Sequence, residues 1–342
     1  MSFSIKVEPS GRTFSVEDDE NILTAALRQG LNLPYGCRDG HCGSCKARLS
    51  KGEVHYPNHL TEALSPEEHI AGIALLCQAK PLSDITLEAH LVDSGDEITV
   101  KKLPCRVQSK KLLTHDVMEL TLKLPVTERL QFLSGQYIEI LLPDGRRRSF
   151  SLANPPHDDQ LLVLHIRHVD GGEFTDYVFN QLEEKTILRI EGPLGGFYLR
   201  EDSHRPMIFM AGGTGFAPIK SLMEHCIAEK TNRPIHFYWG VRAKRDLYGQ
   251  ELANQWARQH AHITYTPVLS EPAKSDAWQG RTGYVHQAIV DDFPDLNAYD
   301  VYACGPPAMV AAGKQAFLSH GLSEAQFFAD PFEFQTPKPI SR

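Results

Sequence analysis

Cys37, Cys42, Cys45 and Cys77 form the run C-x4-C-x2-C with a distant fourth cysteine, the spacing by which thiolates hold a plant-type [2Fe–2S] cluster. Each iron of such a cluster takes two thiolates in tetrahedral geometry, and one loop supplies three sulfurs only where its backbone bends sharply. Gly40 and Gly43 stand between the cysteines, where a positive φ or a close approach to sulfide is needed. Cys77 follows the apolar Leu75-Leu76, which anchors it in a small core. A zinc site would ask for paired C-x2-C knuckles, with His41, His55 and His59 available to complete it, and the C-x4-C loop fits that pattern poorly. His41 reads as a solvated loop residue. The cysteines therefore predict a chain that carries electrons.

A second set of residues lies further on, in Arg146-Arg147-Arg148-Ser149-Phe150-Ser151. Three arginines alone read as a solvated run, but here they abut an aromatic ring and two hydroxyls before a turn. At this point the sequence resembles the ferredoxin–NADP reductase superfamily, whose flavin motif is Arg-x-Tyr/Phe-Ser/Thr. The resemblance implies FAD, with Arg148 on its pyrophosphate, Phe150 packed on the isoalloxazine and Ser151 hydrogen-bonded near N5. His165-Ile166-Arg167 followed by Gly172-Glu173-Phe174-Thr175 resembles the family's second flavin element, a Gly-x-x-Ser/Thr turn that opens a helix and offers N–H groups to a pyrophosphate. Gly192-Pro193-Leu194-Gly195-Gly196-Phe197 resembles its loop closing the barrel, and a purely structural turn is equally compatible.

The apolar run Ile208–Ala211 leads into Gly212-Gly213-Thr214-Gly215 and then Phe216-Ala217-Pro218. Pro218 replaces the third glycine of the G-x-G-x-x-G fingerprint, but proline is tolerated in a first helical turn, so a strand–loop–helix that presents N–H groups to phosphate is kept. Gly-Thr-Gly-x-Ala-Pro is the superfamily's nicotinamide version, which assigns Gly213, Thr214 and Gly215 to the dinucleotide. Cys304-Gly305-Pro306 resembles its loop beside the nicotinamide; without the resemblance, a cysteine at a strand end is inert packing. Asp330-Pro331-Phe332 resembles the family's closing acid-x-aromatic, placing Asp330 at the acidic position and Phe332 over the flavin face. Ser151, Cys304, Asp330 and Phe332 are thus the expected catalytic residues. No acid follows Phe237-Tyr238-Trp239-Gly240 to hold ribose hydroxyls, and Arg242, Lys244 and Arg245 are placed to meet a 2′-phosphate. The pattern Trp-Gly-Val-Arg…Asp246-Leu247-Tyr248 resembles oxygenase-type reductases, a group that mostly uses NADH, so NADH is expected, with NADPH the alternative.

Cluster, flavin and nicotinamide motifs occur in one order along essentially the whole chain. A hydride brings two electrons together and a [2Fe–2S] cluster takes one at a time, so a flavin between them is chemically required. The expected path is NAD(P)H to FAD to [2Fe–2S] to an electron-accepting protein. For that partner the resemblance divides between the CDP-6-deoxy-Δ3,4-glucoseen reductases, which serve a dehydratase, and the reductase components of aromatic-ring or diiron oxygenases. Leu33-Pro34-Tyr35-Gly36-Cys37 and Phe328–Phe332 favour the first. A redox-sensing regulatory protein is the alternative of another class.

The elements that must position these residues follow from periodicity. The 342-residue chain, 42% hydrophobic, is long enough for two or three cores. Residues 1–92 alternate as a hairpin through Phe3, Ile5, Val7, Phe14 and Val16. A helix over about Glu20 to Gln29 follows, with Asp18 or Asp19 as N-cap, giving an α+β, ferredoxin-like β-grasp domain. Residues 93–102, with five charges and a glycine, are the expected linker. Residues 103–204 are strand-rich and predict an antiparallel β-barrel for the flavin. Residues 205–342 alternate strand and helix and predict an α/β parallel-sheet nicotinamide domain.

No stretch approaches the ~18 apolar residues of a spanning helix, and Met1–Lys6 lacks a signal-peptide apolar region, so a soluble, cytoplasmic protein without membrane contact is expected. Cys105, Cys226 and Cys304 stand apart from one another, which suits a reducing compartment. Net charge is −8, with 12 acidic and 8 basic residues in 1–92, so no nucleic-acid partner is expected. The acidic excess either steers toward a basic protein partner or simply keeps the chain soluble.

Overall fold

The computed structural model describes residues 2–31, 33–36, 38–57, 63–89, 91 and 98–332. Cys37, His59 and residues 93–97 of the expected linker lie outside them. In the N-terminal unit, β1 (Ser2–Glu8) pairs antiparallel with β2 (Arg12–Glu17), Ile5 opposite Phe14, and alternation buries Ile5, Val7, Phe14 and Val16. Helix α1 (Ile22–Arg28) starts later than expected. Its N-cap is Asn21, whose Oδ1 accepts the Thr24 N–H at 2.8 Å, and not Asp18 or Asp19. The reason is tertiary: the Ile22 and Leu23 N–H groups donate to the Ala79 and Leu76 carbonyls, each at 3.0 Å, which pins the first turn to the segment carrying Cys77.

There follow β3 (Lys46–Lys51), β4 (Val54–His55), α2 (Pro66–Ile70), β5 (Ile73–Leu75), β6 (Lys80–Pro81) and β7 (Ile85–Glu88). Their main sheet runs β2-β1-β7-β3-β5, with β1 and β7 parallel.

The middle unit comprises β8 (Lys101–Thr114), β9 (Val117–Lys123), β10 (Tyr137–Leu141), β11 (Arg147–Ser151), β12 (Leu162–Arg167), α3 (Glu173–Asn180) and β13 (Ile187–Leu194). The antiparallel order is β11-β10-β13-β8-β9-β12. A bridge between Leu152 and Leu164, with the Ala153 N–H donating to the Val163 carbonyl at 2.8 Å, brings the two edges together and closes a barrel. Strand β8 begins inside the stretch expected as linker, because Leu103, Cys105 and Val107 alternate into the core and carry the two preceding lysines into the ladder.

The C-terminal unit holds β14 (Met207–Gly212), α4 (Phe216–Ala228), β15 (Ile235–Val241), α5 (Gln250–Gln259), β16 (Ile263–Leu269), β17 (Arg281–Thr282), α6 (Val285–Asp292), β18 (Asp300–Gly305), α7 (Pro307–Ser319) and β19 (Phe327–Pro331). Its sheet is wholly parallel in the order β17-β16-β15-β14-β18-β19. Every residue of β14 and β18 is buried, as strands covered on both faces require. The chain reverses its direction of build between β14 and β18, and the crevice beyond the carboxyl ends of those strands is where such sheets bind ligands.

Candidate functional site

The cluster loop leaves β-structure after α1 and returns to it at β3. Gly40 and Gly43 both take positive φ, +87° and +72°, as the bends between cysteines demand. Gly36 is closed to any side chain, since a Cβ there would lie 2.9 Å from the Cys42 Sγ. Cys45 and Cys77 are buried and hydrogen-bond to each other; Cys45 is pushed up chiefly by that bond and Cys77 is lowered by it. Cys42 lies within electrostatic reach of both. A hydrogen-bonded pair of thiols with a third cysteine beside it is the donor set of a two-iron unit, which takes its thiolates two and two. Cys42, Cys45 and Cys77 would hold it, with Cys37 outside the described residues.

On the barrel, β11 presents the arginine motif. Arg148 lies across from Ile140 and Phe150 across from Ile138, so the two share a face, while Ser151 turns to the other. The Arg148 guanidinium is half-buried, donates to the Arg147 carbonyl at 2.8 Å, and is lowered by burial and by Arg146. An anion placed beside it would reverse that cost, which fits a pyrophosphate. The Phe150 ring lies 5.7 Å from Phe174 in α3. Gly172 is the N-cap of α3 and supplies no side-chain cap; the Thr175 hydroxyl donates back to its carbonyl at 2.9 Å. The first-turn N–H groups of α3 therefore lack a capping side chain, as a phosphate cradle requires.

Ser151, Cys304 and Asp330 are brought together from three strands. The Ser151 hydroxyl donates to the Asp330 carboxylate at 3.0 Å. Protein packed around that carboxyl pushes its pKa up to about 7, with the Ser151 bond opposing and Cys42 adding to the rise. The Cys304 thiol is fully buried, donates to the Gly215 carbonyl at 2.9 Å, and is held well above the ordinary thiol range by desolvation and by Asp330. It stays a thiol. Phe332 follows β19, its N–H donating to the Gly305 carbonyl at 2.8 Å, so the ring is carried at the edge of the same group.

The phosphate loop is shaped by backbone contact. A Cβ on Gly215 would stand 2.2 Å from the Cys304 carbonyl oxygen, and one on Gly305, at φ +132°, would stand 2.6 Å from the Gly212 carbonyl oxygen. Gly213 takes φ +54°, and its carbonyl accepts the Trp239 indole N–H at 3.0 Å; the indole stacks 4.3 Å from Phe216. Thr214, between the two glycines, is half-buried. The loop leads straight into α4, whose Pro218 sits in the first turn.

Two expected flavin residues face the nicotinamide unit. The Arg167 guanidinium pairs with Asp116 at 2.8 Å and lies where a Cβ on Gly213 would meet it at 2.7 Å. His165 is buried with Nδ1 3.1 Å from the Tyr248 hydroxyl, and its ring stacks on Phe216 at 6.2 Å. Desolvation, with Lys220 second, drops its pKa to about 3. Arg242 is exposed just beyond β15, Lys244 contacts Asp276 and Arg245 neighbours Asp246. Asp246 is buried and accepts the Ala243 N–H at 3.0 Å, so it shapes this loop instead of reaching into it.

The sequence reading missed Arg38, Tyr137, Glu139, Arg147 and Glu191, which join the cluster loop to the barrel. The available signal was a glutamate set in each of two apolar strands.

Thiol pair, arginine motif and glycine loop on these three folds define a flavin- and nicotinamide-dependent iron–sulfur oxidoreductase. Three family models match in series: the 2Fe-2S iron-sulfur cluster binding domain over residues 5–82, the oxidoreductase FAD-binding domain over 104–198 and the oxidoreductase NAD-binding domain over 209–315. The chain is 42% identical to a CDP-6-deoxy-L-threo-D-glycero-4-hexulose-3-dehydrase reductase of Yersinia pestis, over 97% of this chain and 99% of the relative. It is 36% identical to reductase component 1 of terephthalate 1,2-dioxygenase from Comamonas sp, over 97% and 98%. The crystal structure of the Amycolatopsis cytochrome P450 reductase GcoB superposes with a TM-score of 0.81 at 34% identity, covering 96% of this chain and 98% of that one. The chain belongs to the ferredoxin–NADP reductase superfamily, in the branch with an N-terminal 2Fe–2S domain. It is an electron-transfer reductase that joins NAD(P)H, FAD and a [2Fe–2S] cluster. Among the described residues, no helix is long and apolar enough to cross a membrane.

Proposed function

We propose that this chain reduces a dehydratase partner of the kind named for its Yersinia relatives, drawing electrons from NADH. The observation that carries this reading is the 42% identity along nearly the full length of both proteins. Bound FAD would take the two electrons of a hydride and deliver them singly to the cluster. The chain's own residues have separate tasks. Arg148 and the first turn of α3 hold the flavin phosphates, and Gly213, Thr214 and Gly215 hold those of the dinucleotide. Ser151 and Asp330 keep a proton in their hydrogen bond beside the expected flavin edge, and the neutral Cys304 thiol fills the space next to it without adding charge. Phe150 and Phe332 shield the ring from water. Cys42, Cys45 and Cys77, with Cys37, bind the cluster.

A cytoplasmic setting fits Cys105, Cys226 and Cys304, buried thiols that form no disulfide. The exposed loop residues Asp39 and His41 suit partner contact. A second reading, reductase component of an oxygenase, is favoured by the GcoB superposition.

The test is reconstitution. Purified holoprotein with NADH should support turnover of the CDP-6-deoxy-L-threo-D-glycero-4-hexulose 3-dehydrase and should reduce an aromatic oxygenase component far more slowly. The reverse order would establish the second reading. NADH-driven loss of flavin colour with no transfer to either would leave a sensor. Flavin reduction faster with NADPH than with NADH would overturn the nucleotide assignment and give Arg242 the 2′-phosphate.

A further inference from the structure

Arg147, the middle arginine of the motif, turns away from the face shared by Arg148 and Phe150. Its guanidinium meets Glu139 at 2.7 Å and Glu191 at 3.0 Å. These two glutamates are directly opposite each other on β10 and β13, and they are 5% and 6% exposed. Two carboxylates side by side and buried repel unless cations bracket them. One bracket is Arg147 of the barrel. The other comes from a different domain: Arg38, in the cluster loop, approaches Glu139 at 3.5 Å and Glu191 at 3.4 Å. Lys102 adds a more distant contact to Glu191 at 3.6 Å. Arg38 holds φ +64°, a left-handed conformation that arginine adopts only where its surroundings enforce it.

The contact extends through the backbone. The Tyr137 hydroxyl donates to the Gly36 carbonyl at 2.8 Å, and the Gly196 N–H donates to the Tyr35 carbonyl at 2.7 Å. The approach is close: a Cβ on Gly196 would lie 3.0 Å from the Tyr35 carbonyl oxygen and 3.1 Å from its nitrogen, so a side chain there would press the two segments apart. Tyr137 and Leu194 of the barrel are built into the hydrophobic core of the N-terminal unit.

We infer that the Glu139–Glu191 pair is a socket for Arg38 that docks the cluster loop on the barrel, making Arg38, Glu139, Glu191 and Arg147 positioning residues for electron delivery to the cluster. The domain is seated and does not shuttle. For its kinetic test the inference rests on the electron path proposed above.

The experiment uses holoprotein carrying Glu139→Gln and Glu191→Gln together, which leaves Arg38 and Arg147 without carboxylates and does not touch the cysteines. Anaerobic stopped-flow with NADH separates loss of flavin absorbance from cluster bleaching, and small-angle scattering reads the seating directly. Flavin reduction is expected at the wild-type rate, cluster reduction on the order of tenfold slower, and the scattering radius larger. Added salt screens the wild-type ion pairs and should narrow the difference between wild type and variant. An unchanged cluster rate with unchanged scattering overturns the inference. If the double variant loses cofactor, Arg38→Lys is read instead, and it should show the same two effects in weaker form; wild-type values there also overturn the socket. If wild-type NADH reduces the flavin but never the cluster, the electron path fails, while scattering still decides the docking.

Discussion

Acidifying the protein from pH 7.5 to pH 5 is expected to weaken it by about 2 kcal/mol through His165 alone. The folded protein keeps this imidazole neutral: its pKa falls from 6.5 to about 3, first through burial and second through the charge of Lys220. In the unfolded chain the group binds a proton near pH 6.5, so between pH 6.5 and pH 3 the unfolded state holds more protons. Stability is therefore full above pH 6.5 and is lost as pH falls toward 3. At pH 5 the imbalance amounts to about 1.5 pH units, and at about 1.4 kcal/mol per unit this gives the figure above.

Other histidines titrate in the same range, so the assay compares wild type with His165→Gln, which still offers Tyr248 a hydrogen bond. Urea unfolding followed by circular dichroism at both pH values yields two stability differences. The advantage of wild type should shrink by about 2 kcal/mol at pH 5. An identical difference at both pH values refutes the argument, because His165 would then be protonated as easily inside the fold as outside it.

Gly215→Ala puts a methyl 2.2 Å from the Cys304 carbonyl oxygen, so the loop must move by roughly 1 Å; displacement of that size costs about a hundredfold in rate. Flavin reduction by NADH should slow accordingly with cofactor content unchanged, and a wild-type rate counts against the assignment of this loop. Arg148→Ala should weaken FAD retention by about 2 kcal/mol, measured by flavin fluorescence titration; an unaltered dissociation constant removes Arg148 from the phosphate site. Cys77→Ser should abolish cluster absorbance and its spin signal while FAD still binds, and a full cluster signal would exclude Cys77 as a ligand.

The local elements were legible because their signals are local. Alternation located β1 and β2, and the glycine loop announced a strand, turn and helix from residue types alone. The N-cap of α1 was not, since Asn21 is selected by carbonyls of Leu76 and Ala79, more than fifty residues away. The meeting of Ser151 with Asp330 was not legible: the resemblance gave each a role but did not pair them, 179 residues separate them, and the contact depends on where β19 joins the sheet. Glu139 and Glu191 show the same limit. Each stands out in an apolar strand, but their pairing is a matter of register, and their need for Arg38 becomes visible only when a second domain is in place. Neither fact is encoded in spacing.

Trp239 gives the phosphate loop a second property. Its indole is fully buried, tied to the Gly213 carbonyl and stacked on Phe216, so its emission is set by the loop's own geometry. That emission overlaps the absorption of reduced nicotinamide and much less that of the oxidised form. The arrival of reduced dinucleotide should therefore quench it, and oxidation should restore it. Once the emission of Trp256 and Trp278 is subtracted with a Trp239→Phe control, Trp239 reports without a label how the dinucleotide loop is filled.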